Sequence, residues 1–328
     1  MSALRLEFAS LSSTLTTIFS VTAAVVVALV LLLSAFPAAA VEPIKETETI
    51  GDSPSGSGGN VTAGDIRMYY EIHGEGEPLL LIMGLGGHIL DWGWVLPKRL
   101  AEGRSVIVFD NRGAGRSDQP AGPYSIAEMA NDTVGLLDSL GIERADVFGV
   151  SMGGMIAQEM AVYHPERIGR LILGATSPGG EAQVLAPPEV QAYLEPRPDL
   201  TLHEALWWGA PAGFPVEFID AHPEVVERKI QANMAYPSSL EAYRAQLTAY
   251  RAFAIGDRIS EICAPTLVLA GDSDILIPPE NGRILANKIP GAEFRTIKEA
   301  GHLFWISHPG ETYSAVAEFL EGNETRVL

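Results

Sequence analysis

The sequence predicts an α/β fold: a mostly parallel central sheet flanked by helices, with a helical cap inserted over it. Three observations carry that prediction. From Val61 onward, short apolar runs bounded by Gly or Pro alternate with longer amphipathic segments, the pattern of strands buried on both faces and of the helices that cover them. The rhythm breaks between about 177 and 259, where helical stretches and proline-rich turns replace buried strands. Finally, 328 residues at 47% hydrophobic content supply enough apolar material for one large core.

The first forty residues stand apart. No charge occurs between Glu7 and Glu42, the apolar run Ala23 to Leu33 is continuous, and "AFPAAA" ends small-x-small, so residues 1–40 read as a secretory signal peptide. Ile18 to Ala40 is also long enough to cross a bilayer, so an uncleaved membrane anchor is the alternative. Either places the remainder outside the cytoplasm. Residues 41–60, acidic and then rich in Gly, Ser and Pro, read as a flexible linker, and residues 61–328 as the folded domain. Asn60, Asn131 and Asn323 open glycosylation sequons.

Within the domain, "IRMYYEIHG" alternates like a hairpin strand near a sheet edge. "PLLLIMG", "SVIVFD", "ADVFGV", "GRLILGAT" and "PTLVLAG" are compact buried strands, and "EFRTI" is a last one. Ser125, with Glu128 three residues on, opens a capped helix that stops at Gly141. A second helix follows Ser151 and runs to Pro165, and a third begins at the prolines of "PPENGRILANKIPG". In the insertion, the aromatics Trp207, Trp208, Phe214 and Phe218 are candidates to line a cleft.

Charge and cysteine content narrow the function. With 41 acidic against 22 basic residues, a net charge of -19 argues against a nucleic-acid partner. The single cysteine, Cys263, rules out an intramolecular disulfide and reads as a small buried residue at the lip of a strand. No metal-ligand spacing and no phosphate- or dinucleotide-binding loop is present, so neither metal nor cofactor is expected.

The chemistry gathers around "GVSMGG". Ser151 falls between a buried strand and a helix, on a turn where Gly149, Gly153 and Gly154 permit close packing. The N–H of Met152, at the helix start, is then placed to stabilise an oxyanion. A nucleophilic serine needs a base and an acceptor to orient it. Asp272 and Asp274 follow a buried strand in "LVLAGDSDILIP", and His302 follows the last strand in "EAGHLFW". His88, beside a glycine-rich loop, is the other histidine near the cleft.

From Val61 to its end the chain resembles the α/β-hydrolase superfamily, and looks most like its small serine esterases, enol-lactonases and cofactor-free haloperoxidases. The resemblance implies a Ser151–His302–Asp274 triad, the acid being the third residue after the glycine of a "GxxD" turn, with Asp272 a turn residue. It implies that "MGLGG" is the oxyanion loop, in which Met83 stands where histidine is common and Leu85 gives the second backbone N–H. "DNRGAGRSDQP" is similar to a family segment in which Arg112 holds a turn. The expected activity is hydrolysis of a small-molecule carboxylic ester or lactone through an acyl-enzyme on Ser151. Perhydrolysis or carbon–carbon bond hydrolysis by the same triad, and a ligand receptor on the same fold, are the alternatives.

Overall fold

The computed structural model describes residues 56–322 apart from Trp94. The signal or anchor reading of 1–40, most of the 41–60 linker and the sequon at Asn323 lie outside the described residues. No helix among those described is long and apolar enough to cross a membrane.

The chain opens with the hairpin β1 (Ser57–Ala63) and β2 (Ile66–His73), then β3 (Glu77–Ile82), α1 (Val95–Leu100), β4 (Arg104–Phe109), α2 (Ile126–Ser139), β5 (Ala145–Val150), α3 (Met152–Tyr163) and β6 (Ile168–Gly174). Five α-helices follow without a sheet strand among them: the short α4 (Pro188–Gln191), α5 (Leu202–Gly213), α6 (Val216–Ala221), α7 (Pro223–Ala235) and α8 (Leu240–Ala252), with a 3₁₀ turn at Gly256–Glu261 leading back to the sheet. The chain then re-enters the sheet with β7 (Thr266–Gly271), α9 (Glu280–Lys288), β8 (Glu293–Ile297), the short α10 (Phe304–Ser307) and α11 (Pro309–Glu321).

The sheet has eight strands in the order β1-β2-β4-β3-β5-β6-β7-β8. β2 pairs antiparallel with β1 and β4, and every other pair is parallel. The predicted α/β fold with a mostly parallel sheet is therefore the one observed. Alternation along each buried strand builds two cores, one on each face. Leu80, Ile82, Val147 and Leu171 pack with α2 and α3, while Leu79, Leu81, Phe148 and Ile172 pack with Trp92, Phe304 and α11. Each such side chain is worth about 1.5–3 kcal/mol when fully buried, which pins the register of the central strands.

After β3 the chain turns to β4 on one side, whereas β5 lies against the other side of β3. That reversal opens a crevice at the carboxyl ends of β3 and β5, the usual ligand position in such sheets. The "MGLGG" loop leaves β3 there and Ser151 leaves β5.

Three local readings change. The linker expected over 41–60 ends earlier, because Ser57–Asn60 already belong to β1 and pair with Ile72–Tyr69. An edge strand is held by backbone bonds to one neighbour, so the small polar residues of "SGGNVTA" suffice. Cys263 is exposed, not buried, because β7 starts only at Thr266, and its thiol donates to the Glu261 carbonyl at 3.2 Å. Helix α11, not anticipated, buries Val316, Phe319 and Leu320 at i, i+3 and i+4 behind Pro309 at its start.

Candidate active site

Ser151 occupies the turn between β5 and α3 with φ 56° and ψ -123°, a conformation that strains any residue with a side chain. The surroundings over-determine it. Its N–H donates to the Gly174 carbonyl at 2.9 Å, and its carbonyl accepts from Thr176 Oγ1 at 2.7 Å and from the Gly154 N–H at 2.9 Å. The glycines are required by space. A Cβ on Gly149 would lie 2.3 Å from the Gly153 oxygen, and one on Gly153 would lie 2.1 Å from the Ile82 oxygen. Only bare backbone lets the first turn of α3 sit this close to β3 and β5. Met152 is the first residue of α3, so its N–H is one of those without a partner inside the helix.

The loop after β3 lies directly over the serine, since a Cβ on Gly84 would come within 2.9 Å of the Ser151 Cβ. Buried Asn111 holds the loop's base by donating from Nδ2 to the Met83 carbonyl at 2.9 Å. The Gly87 N–H closes the turn onto the Gly84 carbonyl at 3.2 Å. Beyond the turn, Gly86 donates its N–H to Gln246 Oε1 of α8 at 2.8 Å.

Asp274 and His302 leave β7 and β8 at the same edge of the sheet and meet with His302 Nδ1 2.8 Å from Asp274 Oδ2. The other carboxylate oxygen, Oδ1, accepts the N–H groups of Leu276 and Ile277, both at 2.9 Å. Both oxygens are thus committed, and the imidazole orientation follows. The two loops are stapled together: Asp272 N–H donates to the Ile297 carbonyl and Ser273 N–H to the Ala300 carbonyl, each at 3.0 Å. Asp272 itself points out to solvent, its carboxylate accepting from Ser273 Oγ. Ser151, Asp274 and His302 are all buried.

A cavity of about 490 Å³ lies between the strand ends and the inserted helices, and both Leu85 and His302 line it. Its wall is chiefly apolar: Trp208, Phe214, Leu206 and Leu276 contribute, with Tyr243 and Lys229 among the polar groups. Of the four aromatics singled out in sequence, Trp208 and Phe214 reach it. Trp207 instead donates from Nε1 to Glu227 Oε2 at 2.8 Å, and Phe218 stacks on Phe214 at 5.3 Å.

His88 is fully buried and takes a capping role, its Nδ1 accepting from the Leu90 N–H at 3.3 Å. Arg112 is consumed by structure: its guanidinium donates to both oxygens of Asp132, at 2.7 and 2.8 Å, and to Asp65 at 2.6 Å. Sequence reading missed the polar residues that join the inserted helices to the loop after β3. Asp91, fully buried just past that loop, receives Lys229 Nζ at 2.7 Å, Asn233 Nδ2 at 3.2 Å and the His88 N–H at 2.8 Å. Burial pushes the Asp91 carboxyl up, but the Lys229 ammonium and the His88 contacts outweigh it and hold the group below its ordinary value. On α8, burial and the Glu195 carboxylate raise the Tyr243 phenol to about 12, and burial and the Asp274 carboxylate raise Tyr250 to about 12. A lone Gln, Lys or Asp on an amphipathic helix or turn carries no sequence signal for such a role.

Comparison with known proteins agrees with this fold. The α/β hydrolase fold family model matches residues 77–309. A Caulobacter segnis protein named as a carbamate hydrolase, RutD, is 32% identical over 77% of this chain and 96% of its own length. The 3-oxoadipate enol-lactonase 2 of Acinetobacter baylyi is 31% identical over 76% of this chain and 91% of its own. Among solved structures, Est816, described as an N-acyl homoserine lactone degrading enzyme, superposes with a TM-score of 0.68, with 32% identity over 80% of this chain and 100% of that one. The chain belongs to the α/β hydrolase fold family, and is a hydrolase of that family.

Proposed function

We propose that the chain is a serine hydrolase of carboxylic esters or lactones that acts through an acyl-enzyme on Ser151. The observation that carries this reading is the buried His302–Asp274 pair, at 2.8 Å, on the same sheet edge as the strained serine turn. His302 takes the Ser151 proton as the hydroxyl attacks the substrate carbonyl, and Asp274 stabilises the imidazolium. The N–H groups of Met152 and Leu85 receive the tetrahedral oxyanion, the larger electrostatic contribution to the rate. Protonated His302 then releases the leaving alcohol, and a water activated by the same imidazole frees the acid. The mainly apolar cavity of about 490 Å³ suits a small-molecule substrate with an aliphatic acyl or ring portion. The lactones named for the relatives fit that description.

Nitrophenyl esters of increasing acyl length, with an acyl homoserine lactone beside them, test the reading when a fluorophosphonate adduct is sought by intact mass. Turnover and a single adduct are expected for the native protein, and neither for Ser151→Ala. A folded native protein with no turnover and no adduct would overturn it. We further propose, from their uncharged apolar run, that residues 1–40 serve export or anchoring. The mass of the mature chain from producing cells checks this, since a start near Val41 means cleavage, retention of Met1 in the membrane fraction means an anchor, and a soluble cytoplasmic chain retaining Met1 refutes both.

A further inference from the structure

We propose that Gln246, on inserted helix α8, is a positioning residue for the oxyanion loop, so that the inserted helices set the donor geometry as well as enclosing the substrate. The proposal rests on the serine-hydrolase reading. Its observation is that one fully buried amide uses both ends across two loops: Oε1 accepts the Gly86 N–H at 2.8 Å, and Nε2 donates to the Arg112 carbonyl at 2.6 Å. The first contact fixes the peptide plane that follows Leu85. The second anchors the amide to a turn that is itself immobilised, since the Arg112 side chain is held by Asp132 and Asp65.

The same helix face adds one further contact to the loop and brings a second ring within electrostatic reach of Asp274, because residues three and seven apart lie on one side. Three residues before Gln246, the ring of Tyr243 sits where a Cβ on Gly86 would come within 2.9 Å, and its hydroxyl donates to the Leu194 carbonyl at 3.0 Å. Gly86 has φ 67°, a conformation glycine tolerates and bulkier residues resist, so the loop bends under that ring. Four residues after Gln246, Tyr250 lies within the field of the Asp274 carboxylate. Without Gln246 the Gly86 N–H is free to rotate, and the Leu85 N–H one peptide earlier loses its fixed aim. An oxyanion donor must sit within about 2.7–3.1 Å of the developing charge, so a small swing weakens the transition state more than substrate binding.

Three variants of the full chain test this against nitrophenyl butyrate and a butyl trifluoromethyl ketone, whose hemiketal carries the oxyanion. Gln246→Leu and the shorter Gln246→Asn are expected to lower kcat by about 10–100-fold, less than the loss from deleting a donor outright, with KM within about threefold. The ketone inhibition constant should rise by the same factor as kcat falls, whereas inhibition by butyrate, which forms no tetrahedral adduct, stays unchanged. Gln246→Glu reproduces both hydrogen bonds only while its carboxyl is protonated, which burial favours. Its kcat relative to native should therefore be near one at pH 5 and decline toward pH 9. A folded Leu or Asn variant with native kcat and native ketone affinity overturns the assignment, as does a loss that moves butyrate and ketone alike or a Glu ratio flat with pH. Native protein that neither turns over the ester nor binds the ketone overturns the serine reading, and the role of Gln246 with it.

Discussion

Two regions face each other across the cavity and are held by different means. The turns at the carboxyl ends of β5, β7 and β8 are fixed chiefly by local backbone groups: Ser151 by Gly174 and Gly154, the Asp274 carboxylate by the N–H groups of Leu276 and Ile277, and the two later loops by each other. The helices α5 to α8 have more exposed faces and are fixed by long side chains reaching over, Gln246 to Gly86 and Lys229 to Asp91. Backbone-built turns hold chemistry to fractions of an ångström and tolerate almost no substitution. Side-chain ties let the region that lines the cavity change residue by residue without disturbing the strand-end turns.

The largest expected effect breaks the strand-end side. Asp274→Asn keeps the size of the side chain but loses the anionic acceptor for His302 Nδ1, at 2.8 Å. A fall in kcat of about 10⁴-fold is expected, because the imidazole is left in the wrong tautomer. Asp272→Asn, two residues away, should leave kcat near native, since that carboxylate is exposed and accepts from Ser273 Oγ, not from His302. Steady-state kinetics of the pair decide it, and reversed magnitudes would move the acid to Asp272.

Next comes the backbone under the serine. In Gly149→Ala the added methyl meets the Gly153 carbonyl at 2.3 Å, and that carbonyl belongs to a helix turn pinned between two strands. Nothing flexible is in the way to yield. A loss above about 3 kcal/mol is expected, read as a lower denaturant midpoint, and an unchanged midpoint would mean that the turn is looser than its contacts.

The same contrast explains what could be read in advance. Gly149, Ser151 and Gly153 form one local pattern, and Asp274 and His302 each follow a strand whose apolar run is plain, so the triad candidates were legible. The central strands were legible because burial on both faces makes them compact apolar runs. β1 was not, because an edge strand of Ser, Gly and Asn has the composition of a linker. The ties to the inserted helices were hidden by distance. Gly86 and Gln246 are 160 residues apart, and Asp91 and Asn233 are 142 apart, whereas Asp274 and His302 are separated by 28. A pairing of that kind is written in the packing of the folded chain and leaves no pattern in a window of sequence.

Lys229→Met probes the inserted side at its ionic tie. It removes the ammonium 2.7 Å from buried Asp91 while leaving the Asn233 amide and the His88 N–H in place. Removing one partner of a buried pair costs about 3–5 kcal/mol, and the lower end is expected because those two donors remain. Asp91 has a folded pKa below its unfolded value of about 3.9. Its contribution is therefore present above that unfolded value and lost as the pH falls through the lower folded one. The stability gap between native and variant should be full at pH 7 and narrow as the pH drops through 4. Urea titrations at pH 7, 5 and 3.5 measure it, and a gap that widens in acid contradicts the assignment.

The smallest effect sharpens the contrast with a single methyl group. Gly209→Ala makes on α5 the substitution that Gly149→Ala makes beneath the serine. Gly209 lies inside that helix, and its added Cβ would find the Tyr193 carbonyl oxygen at 3.8 Å, an ordinary contact. Glycine in a helix interior is about 0.8–1.0 kcal/mol less favourable than alanine, partly through the greater freedom of its unfolded chain. The variant should gain most of that amount and melt about 2 °C higher, on the scaling for a domain of this size. Gly209 also lines the cavity, so the methyl takes space from the cavity and not from the strand-end turns. The expected kinetic signature is a KM that rises with the longest acyl chains while kcat for the shortest ester stays native. A lower melting temperature would show that the inserted helices are packed as tightly as the serine turn, and the distinction between the two regions would fail.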